Sequence, residues 1–314
     1  MPIPVSPLSS LPPVKIRDLP RIFIKEELAR YFNATPPEDI VPCDYAIWRC
    51  SETGFEFAEP RIPGNNAFYE WISNMPHYYP DHRWEYDIVA AKLNDVAVWD
   101  RPLRVLDIGC GSGNFLAKLP PRVEKWGLDS TPSAISKCRE RGIHALNNTM
   151  SEAIAQDESL RSSFDCVTAF HCLEHVADPV DFIGEMIQFL APIGRLFVST
   201  PYSPMSFESD WFDVQNHPPH HLGRWNKTAY QRLAALQGMQ VKLHMPPAAP
   251  LLARMFQTTR YRLVGPTRPL SRIRQTVAML AHIPTTLRIL VHQLKRERIA
   301  GRMAADTVLV EFNQ

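Results

Sequence analysis

The chain has 314 residues, 45% of them hydrophobic, with 34 Lys and Arg against 33 Asp and Glu. That length suits one large α/β domain with extensions or two modest domains, and a net charge of +1 excludes any argument for nucleic acid or membrane from overall charge, so only local charge can carry one. No run reaches the roughly 18 to 20 apolar residues of a membrane-spanning helix; nothing at the start has a signal peptide's basic-then-apolar layout, and Cys43, Cys50, Cys110, Cys138, Cys166 and Cys172 read as reduced thiols of a cytoplasmic protein.

Residues 1–20 contain six prolines and read as an extended or disordered lead-in. Residues 21–100 are rich in aromatics, including Trp48, Phe55, Phe57, Phe68, Tyr69, Trp71 and Trp84. They read as an accessory segment that covers the substrate side, closing with a helix over 81–99. From residue 101 to 314, short apolar runs alternate with amphipathic stretches, the pattern of βαβ units and a parallel sheet. The expected strands are 103–108, 125–129, 143–146, 165–170, 195–200, 240–244 and 307–312. Helices over 133–141 and 180–190 follow Thr131-Pro132 and Asp178-Pro179, each a capping residue before proline. Gly194 is read as a tight turn into the fifth strand. The fold class is therefore α/β, a Rossmann-like, seven-stranded, mostly parallel sheet with helices on both faces, an N-terminal accessory segment and a helical insert, 245–302, before the last strand.

Val105-Leu106-Asp107-Ile108 leads into Gly109-Cys110-Gly111-Ser112-Gly113-Asn114: a strand, three alternate glycines and a helix start. Glycines there let the backbone turn sharply and approach a ligand closely. Twenty residues after Gly109, Asp129 closes the second strand, placed to accept from two ribose hydroxyls. A dinucleotide loop would carry a third glycine where Asn114 stands. Asp107, two residues before the first glycine, suits a cationic amino group and would repel a pyrophosphate.

The series D-I-G-C-G-S-G, G-L-D-S, F-D-C-V-T-A-F-H-C-L-E-H-V-A-D-P and G-R-L-F-V-S-T-P-Y resembles the class I S-adenosylmethionine-dependent methyltransferases over about residues 100–245 plus the last strand. The resemblance implies that Asp107, Gly109, Gly111 and Gly113 hold the methionine moiety and Asp129 the ribose. It also implies that Thr149, Met150 and Ser151 flank the adenine, although the family usually has an acid where Thr149 stands. His171, at the end of the fourth strand, falls beside the same ligand.

Methyl transfer is an in-line displacement that needs an aligned nucleophile and, for a hydroxyl, a route for its proton. His171-Cys172-Leu173-Glu174-His175 stands at the strand end facing that point, with His220 and His221 downstream. Glu174, His175 and His221 are the catalytic candidates. His171, Glu174, His175 and His221 could hold a divalent metal ion. This layout resembles the E-x-x-E-H set of small-RNA terminal 2′-O-methyltransferases and the E-H pair of ubiquinone-biosynthesis O-methyltransferases, with His171 in place of the first glutamate. The competing reading has Glu174 and His175 merely ordering the loop and capping the next helix. The loop from His217 to Trp225 is expected to fold over the substrate side, with Trp211, Phe212 and Trp225 either walling an apolar acceptor pocket or packing into the core.

The insert 245–302 carries 11 Lys and Arg against one acid, Glu297. Ile273, Val277, Leu280, Leu287, Leu290, Val291 and Leu294 recur at helical spacing among Arg272, Arg274, Arg288, Lys295, Arg296 and Arg298, as in a basic amphipathic helix pair broken at Pro284. Peripheral contact with an anionic membrane, reaching a lipid-linked acceptor, is one reading; a solvated lid or dimer face is another. Nucleic acid is disfavoured because no RNA module accompanies the charge. The run from Tyr45 to Pro63 resembles the zinc-ribbon preface of some sugar methyltransferases, but Thr53 replaces a cysteine, leaving a metal-free cover. The sequence thus points to methyl transfer onto a hydroxyl of a small-molecule, sugar or lipid-linked acceptor. The alternatives are a non-catalytic S-adenosylmethionine-binding protein and an NAD(P)-binding oxidoreductase or epimerase.

Overall fold

The computed structural model describes residues 3–75, 82–94, 101–208, 210–246, 249–263, 272–300 and 305–313. In chain order the strands are β1 (Val14–Leu19), β2 (Tyr45–Arg49), β3 (Glu56–Glu59), β4 (Arg104–Ile108), β5 (Glu124–Leu128), β6 (His144–Leu146), β7 (Phe164–Phe170), β8 (Leu190–Pro201), β9 (Gly223–Arg224), β10 (Gln240–His244) and β11 (Thr307–Asn313). The helices are α1 (Arg21–Phe32), α2 (Asn66–Ser73), α3 (Trp84–Asn94), α4 (Asn114–Lys118), α5 (Pro132–Glu140), α6 (Met150–Gln156), α7 (Pro179–Phe189), α8 (Lys227–Leu236), α9 (Leu251–Leu263), α10 (Arg272–Ala281) and α11 (Ile283–Ala300).

The large sheet has the order β10-β11-β8-β7-β4-β5-β6. β4 to β8 pair in parallel, and β11 runs antiparallel between β8 and β10. Alternate residues of the central strands feed two cores. Leu106, Val167, Leu196 and Val310 pack on one face with Ile154 of α6, Ile183 of α7 and Leu233 of α8. Val105, Cys166, Phe197 and Leu309 pack on the other with Val89 of α3, Phe115 of α4 and Ile135 of α5. That is why β7, FDCVTAF, is buried at every position: a strand covered by helices on both faces must be apolar throughout. Its neighbour in space, β4, lies where the strand order reverses. The crevice beyond the carboxyl ends of these two strands is the binding position of open α/β sheets.

The helix starts follow their residues. Asp178 accepts from the Val180 and Asp181 amides at the start of α7, with Pro179 in the first turn. Thr131 precedes Pro132 in α5 but makes no side-chain cap; Asp129 Oδ1 accepts from the Thr131 amide at 2.8 Å instead. The helix expected over 81–99 is described as α3; residue 81 and residues 95–99 lie outside the described residues. The fifth strand starts earlier than expected, at Leu190, which pairs with Phe164, but its register shifts before Arg195, and Gly194 sits in that irregularity, where a Cβ would meet Leu190 and the Phe164 carbonyl.

A second sheet, β1-β2-β3-β9, is antiparallel. The disordered lead-in expected over 1–20 is corrected here. Val14–Leu19 contains no proline, so its amides can pair with β2, and Leu8 is buried in the core with Phe55 and Trp225. β9 comes from the connection after β8, and Val214 and Leu222 of that connection share a core with Leu19, Ile24, Tyr45 and Phe68. The accessory segment and the histidine-bearing loop therefore fold as one unit.

Candidate functional site

β4 ends at Ile108, and Gly109 and Gly113 follow with φ of 67° and 77°, a region that side chains avoid. A Cβ on Gly109 would lie 2.3 Å from Cys172 Sγ, and one on Gly113 would lie 2.6 Å from Ile143 Cδ1. Between them, the Gly111 amide donates to Asp129 Oδ2 at 2.9 Å. The carboxylate that follows β5 thus orders the glycine loop. α4 is a single five-residue helix with Asn114 at its first position.

Asp107 is 3% exposed and accepts from Thr168 Oγ1 at 2.7 Å, across the junction of β4 and β7. Burial pushes its carboxyl up to about 8 against the lowering effect of the Thr168 hydrogen bond, and Cys138 and Asp129 add to the rise. A buried acid held this way is matched by a cation and mismatched by a phosphate.

Cys172 Sγ packs on the loop and donates to Ile108 O at 3.4 Å, so the turn from His171 to His175 abuts the glycines directly. His171 has φ 56° and its ring lies between two buried acids: Nδ1 is 3.2 Å from Glu174 Oε1 and Nε2 is 3.2 Å from Glu85 Oε1. Burial and Arg83 pull the imidazole toward neutrality, but the two carboxylates outweigh them and its pKa is raised. Glu85, 2% exposed, is absent from the sequence-derived site. Its signal was available, since Glu85, Val89 and Leu93 form one buried stripe of α3, and an acid on an apolar stripe needs a partner. Glu174 is 1% exposed, and its Oε2 has no hydrogen-bond partner.

The histidine loop is clipped to this turn by two hydrogen bonds. The Leu222 amide donates to Glu174 O at 2.7 Å, and His175 Nδ1 donates to His220 O at 2.6 Å. His175, His220 and His221 consequently pack ring against ring, with centroids 4.4 to 4.8 Å apart. Burial, and then the neighbouring imidazoles, hold His220 and His221 well below the usual histidine range. Ligand atoms of these three residues all lie within 4.8 Å of one another.

The four residues expected from sequence to share a metal are not brought together: His171 and Glu174 contact each other and Glu85, while His175 and His221 cluster with His220. Thr149 serves as the N-cap of α6 in a capping box with Glu152, Met150 is buried in the core, and Ser151 donates to Glu185 at 2.7 Å. Of the expected acceptor-pocket walls, Trp225 is buried with its ring 4.4 Å from Phe55 and also lines a small cleft with Phe57, Leu173, Val176 and Leu222, whereas Trp211 stacks on Tyr31 and Phe212 packs on Phe23 and His217.

The sequence matches the family defined by a methyltransferase domain over residues 81–244, more than half of the chain. The chain belongs to this family, the class I S-adenosylmethionine-dependent methyltransferases. A ubiquinone biosynthesis O-methyltransferase from Marinobacter nauticus is 32% identical to it over 146 residues, 44% of this chain and 60% of that protein. The mitochondrial ubiquinone biosynthesis O-methyltransferase of Schizosaccharomyces pombe is 34% identical over 104 residues, 31% of this chain and 37% of that protein. The chain thus spans about half the length of the curated relatives it matches. A methyltransferase of known structure from Archaeoglobus fulgidus, described as S-adenosylmethionine-dependent, aligns with a TM-score of 0.46 at 16% identity, covering 79% of this chain and 98% of that one.

Proposed function

We propose that this methyltransferase moves the methyl group of S-adenosylmethionine to a hydroxyl oxygen of a small-molecule or lipid-linked acceptor. The observation that carries the reading is the juxtaposition, across Cys172, of an ordered glycine loop and a buried imidazole cluster at the carboxyl ends of β4 and β7. Bound donor supplies an electrophilic methyl on a sulfonium. Gly109, Gly111 and Gly113 give the backbone that close approach requires, Asp129 accepts from the ribose hydroxyls and Asp107 pairs with the ammonium. Thr149 and Met150 lie at the adenine end. His171 lies on the donor side at the end of β7, and the acceptor hydroxyl loses its proton at the cluster containing His175 and His221. Incubating the protein with labelled donor and a panel of hydroxyl, amine and carbon acceptors tests this; transfer confined to amines or carbon would overturn the oxygen assignment.

The charge at Asp107 yields a proton-linkage prediction. At pH 7 a carboxyl raised to about 8 is mostly protonated, and an ammonium docking against it favours the carboxylate, so donor binding releases protons. Calorimetry at pH 7 in buffers of different ionisation enthalpy should show this release, and Asp107→Asn should abolish it. Buffer-independent heats for the native protein would contradict the pairing.

The lipid-linked acceptor is supported by the insert, which buries polar residues beside Ile289 on its inward side and leaves a row of apolar side chains outward. The inward side of α11 presents Gln293, which accepts from Arg254 Nε at 3.0 Å and donates to Ser206 O at 2.6 Å, and His292, which pairs with Asp210 at 2.9 Å. Its outward side presents Leu287, 54% exposed, with Val291 and Leu294, continuing Ile273 (77%), Val277 and Leu280 (65%) of α10. Arg288 and Lys295 are exposed beside them, and the side chains of Arg272, Arg274, Arg296 and Arg298 lie outside the described residues. No described helix is long and apolar enough to cross a membrane. An outward apolar face on a strongly cationic segment matches an anionic bilayer surface. The protein should co-sediment with vesicles containing phosphatidylglycerol and not with pure phosphatidylcholine. The double variant Leu280→Asp/Leu287→Asp should lose at least about tenfold in vesicle affinity while still binding donor. Equal sedimentation of both proteins would rule the face out.

A further inference from the structure

The three clustered histidines are oriented as well as close. His175 Nδ1 faces the His220 carbonyl at 2.6 Å, His220 Nδ1 faces the Gln215 carbonyl at 2.8 Å, and His221 Nδ1 faces Asn216 Oδ1 at 3.1 Å. An amide oxygen has no proton to give, so each Nδ1 carries the hydrogen and each Nε2 carries the lone pair. This is the arrangement by which oxygen acceptors fix the tautomer of metal-ligating histidines and raise their basicity. Core packing alone has no need for three imidazoles in the same tautomer, each with its Nδ1 hydrogen already committed.

We propose that His175, His220 and His221 form a three-imidazole site for a divalent transition-metal ion of the zinc class. One ligand atom from each already lies within 4.8 Å of the others. Nitrogens about 2.0 to 2.1 Å from a tetrahedral ion stand about 3.3 Å apart, so binding needs only a modest contraction of the loop. All-imidazole ligation favours zinc, iron, nickel or copper over magnesium or calcium, which prefer oxygen. A second observation points to a missing positive charge. Glu174, next in sequence to His175, is buried with Oε2 unpartnered, and with Glu85 it shares the single imidazole of His171. Three protein ligands leave one position open, and an acceptor hydroxyl there would have its pKa lowered, its proton leaving to solvent water. This role rests on the proposed methyl transfer; the existence of the site does not.

The test uses the full chain, stripped with a chelator and titrated with Co²⁺, whose ligand-field absorption reports nitrogen ligation, followed by competition with Zn²⁺. One Co²⁺ per chain is expected, displaced by Zn²⁺. His220→Ala and His221→Gln should each weaken binding at least about 100-fold, whereas His171→Asn should keep it within about threefold. His171→Asn weakening the ion as much as His220→Ala would move the site back to the turn of β7 and overturn the assignment. Absence of a Co²⁺ spectrum in the native chain would overturn the site altogether. Thermal melts with and without Zn²⁺ guard against a misfolded variant: the ion should raise the Tm of the native chain and of His171→Asn but not of His221→Gln, and a Tm unmoved by Zn²⁺ in the native chain would also overturn the site. Because no donor or acceptor is present, a negative result leaves the methyl-transfer reading standing, and failure of donor binding leaves the metal site standing.

Discussion

Replacing Asp129 by alanine is expected to reduce S-adenosylmethionine affinity by more than about 100-fold, to below calorimetric detection. Two losses combine. In the free protein, Asp129 Oδ2 accepts from the Gly111 amide and Oδ1 from the Thr131 amide, so alanine leaves both donors without that partner and loosens the loop before any ligand arrives. In the proposed complex the same carboxylate accepts from the ribose hydroxyls, and hydrogen bonds to a charged group contribute about 1.5 to 3 kcal/mol each. Either loss alone exceeds a tenfold effect. Asp129→Asn keeps one acceptor oxygen and should recover part of the affinity. Native-like binding by the alanine variant would mean that the end of β5 does not hold the ribose.

His221→Ala is expected to leave donor affinity within about threefold of native and to lower turnover by roughly 10²–10⁴-fold, because the cluster that assists proton loss from the acceptor is broken, whether His221 takes the proton itself or helps hold an ion that lowers the hydroxyl's pKa. His221 belongs to the imidazole cluster with His175 and His220, and its Nδ1 is held by Asn216; in the proposed function this cluster serves the acceptor and the glycine loop serves the donor. Parallel calorimetry and single-turnover assays separate the two quantities, and equal losses in binding for His221→Ala and Asp129→Ala would remove the division of labour between the two halves.

The large sheet was legible because its strands are β-branched and apolar runs set between amphipathic stretches, and a parallel sheet covered on both faces demands that pattern. Element ends shifted where pairing overrides local signals: Leu190, read as the last residue of a helix, is held as strand by Phe164. β1 was hidden because six prolines dominate residues 1–20, although the stretch that pairs contains none. β9 is two residues long, too short for any periodicity. At the site, the glycine loop and Asp129 could be read because strand, turn and acid are close in sequence. Glu85 and His220 were missed for the opposite reason. Glu85 meets His171 across 86 positions and His220 meets His175 across 45, and only packing reveals such pairs. Trp225, for which both a pocket wall and core packing were open, is a core residue that also edges a small cleft.

The central claim is that the crevice at the ends of β4, β5 and β7 holds an adenosyl sulfonium. Separate calorimetric titrations of the native chain with S-adenosylmethionine and with NAD test it most directly. The account predicts one saturable site for the sulfonium and no heat of binding for the dinucleotide, because Asn114 stands where a dinucleotide loop carries its third glycine and the buried Asp107 offers a pyrophosphate no positive charge. Binding of NAD with no binding of S-adenosylmethionine would contradict it.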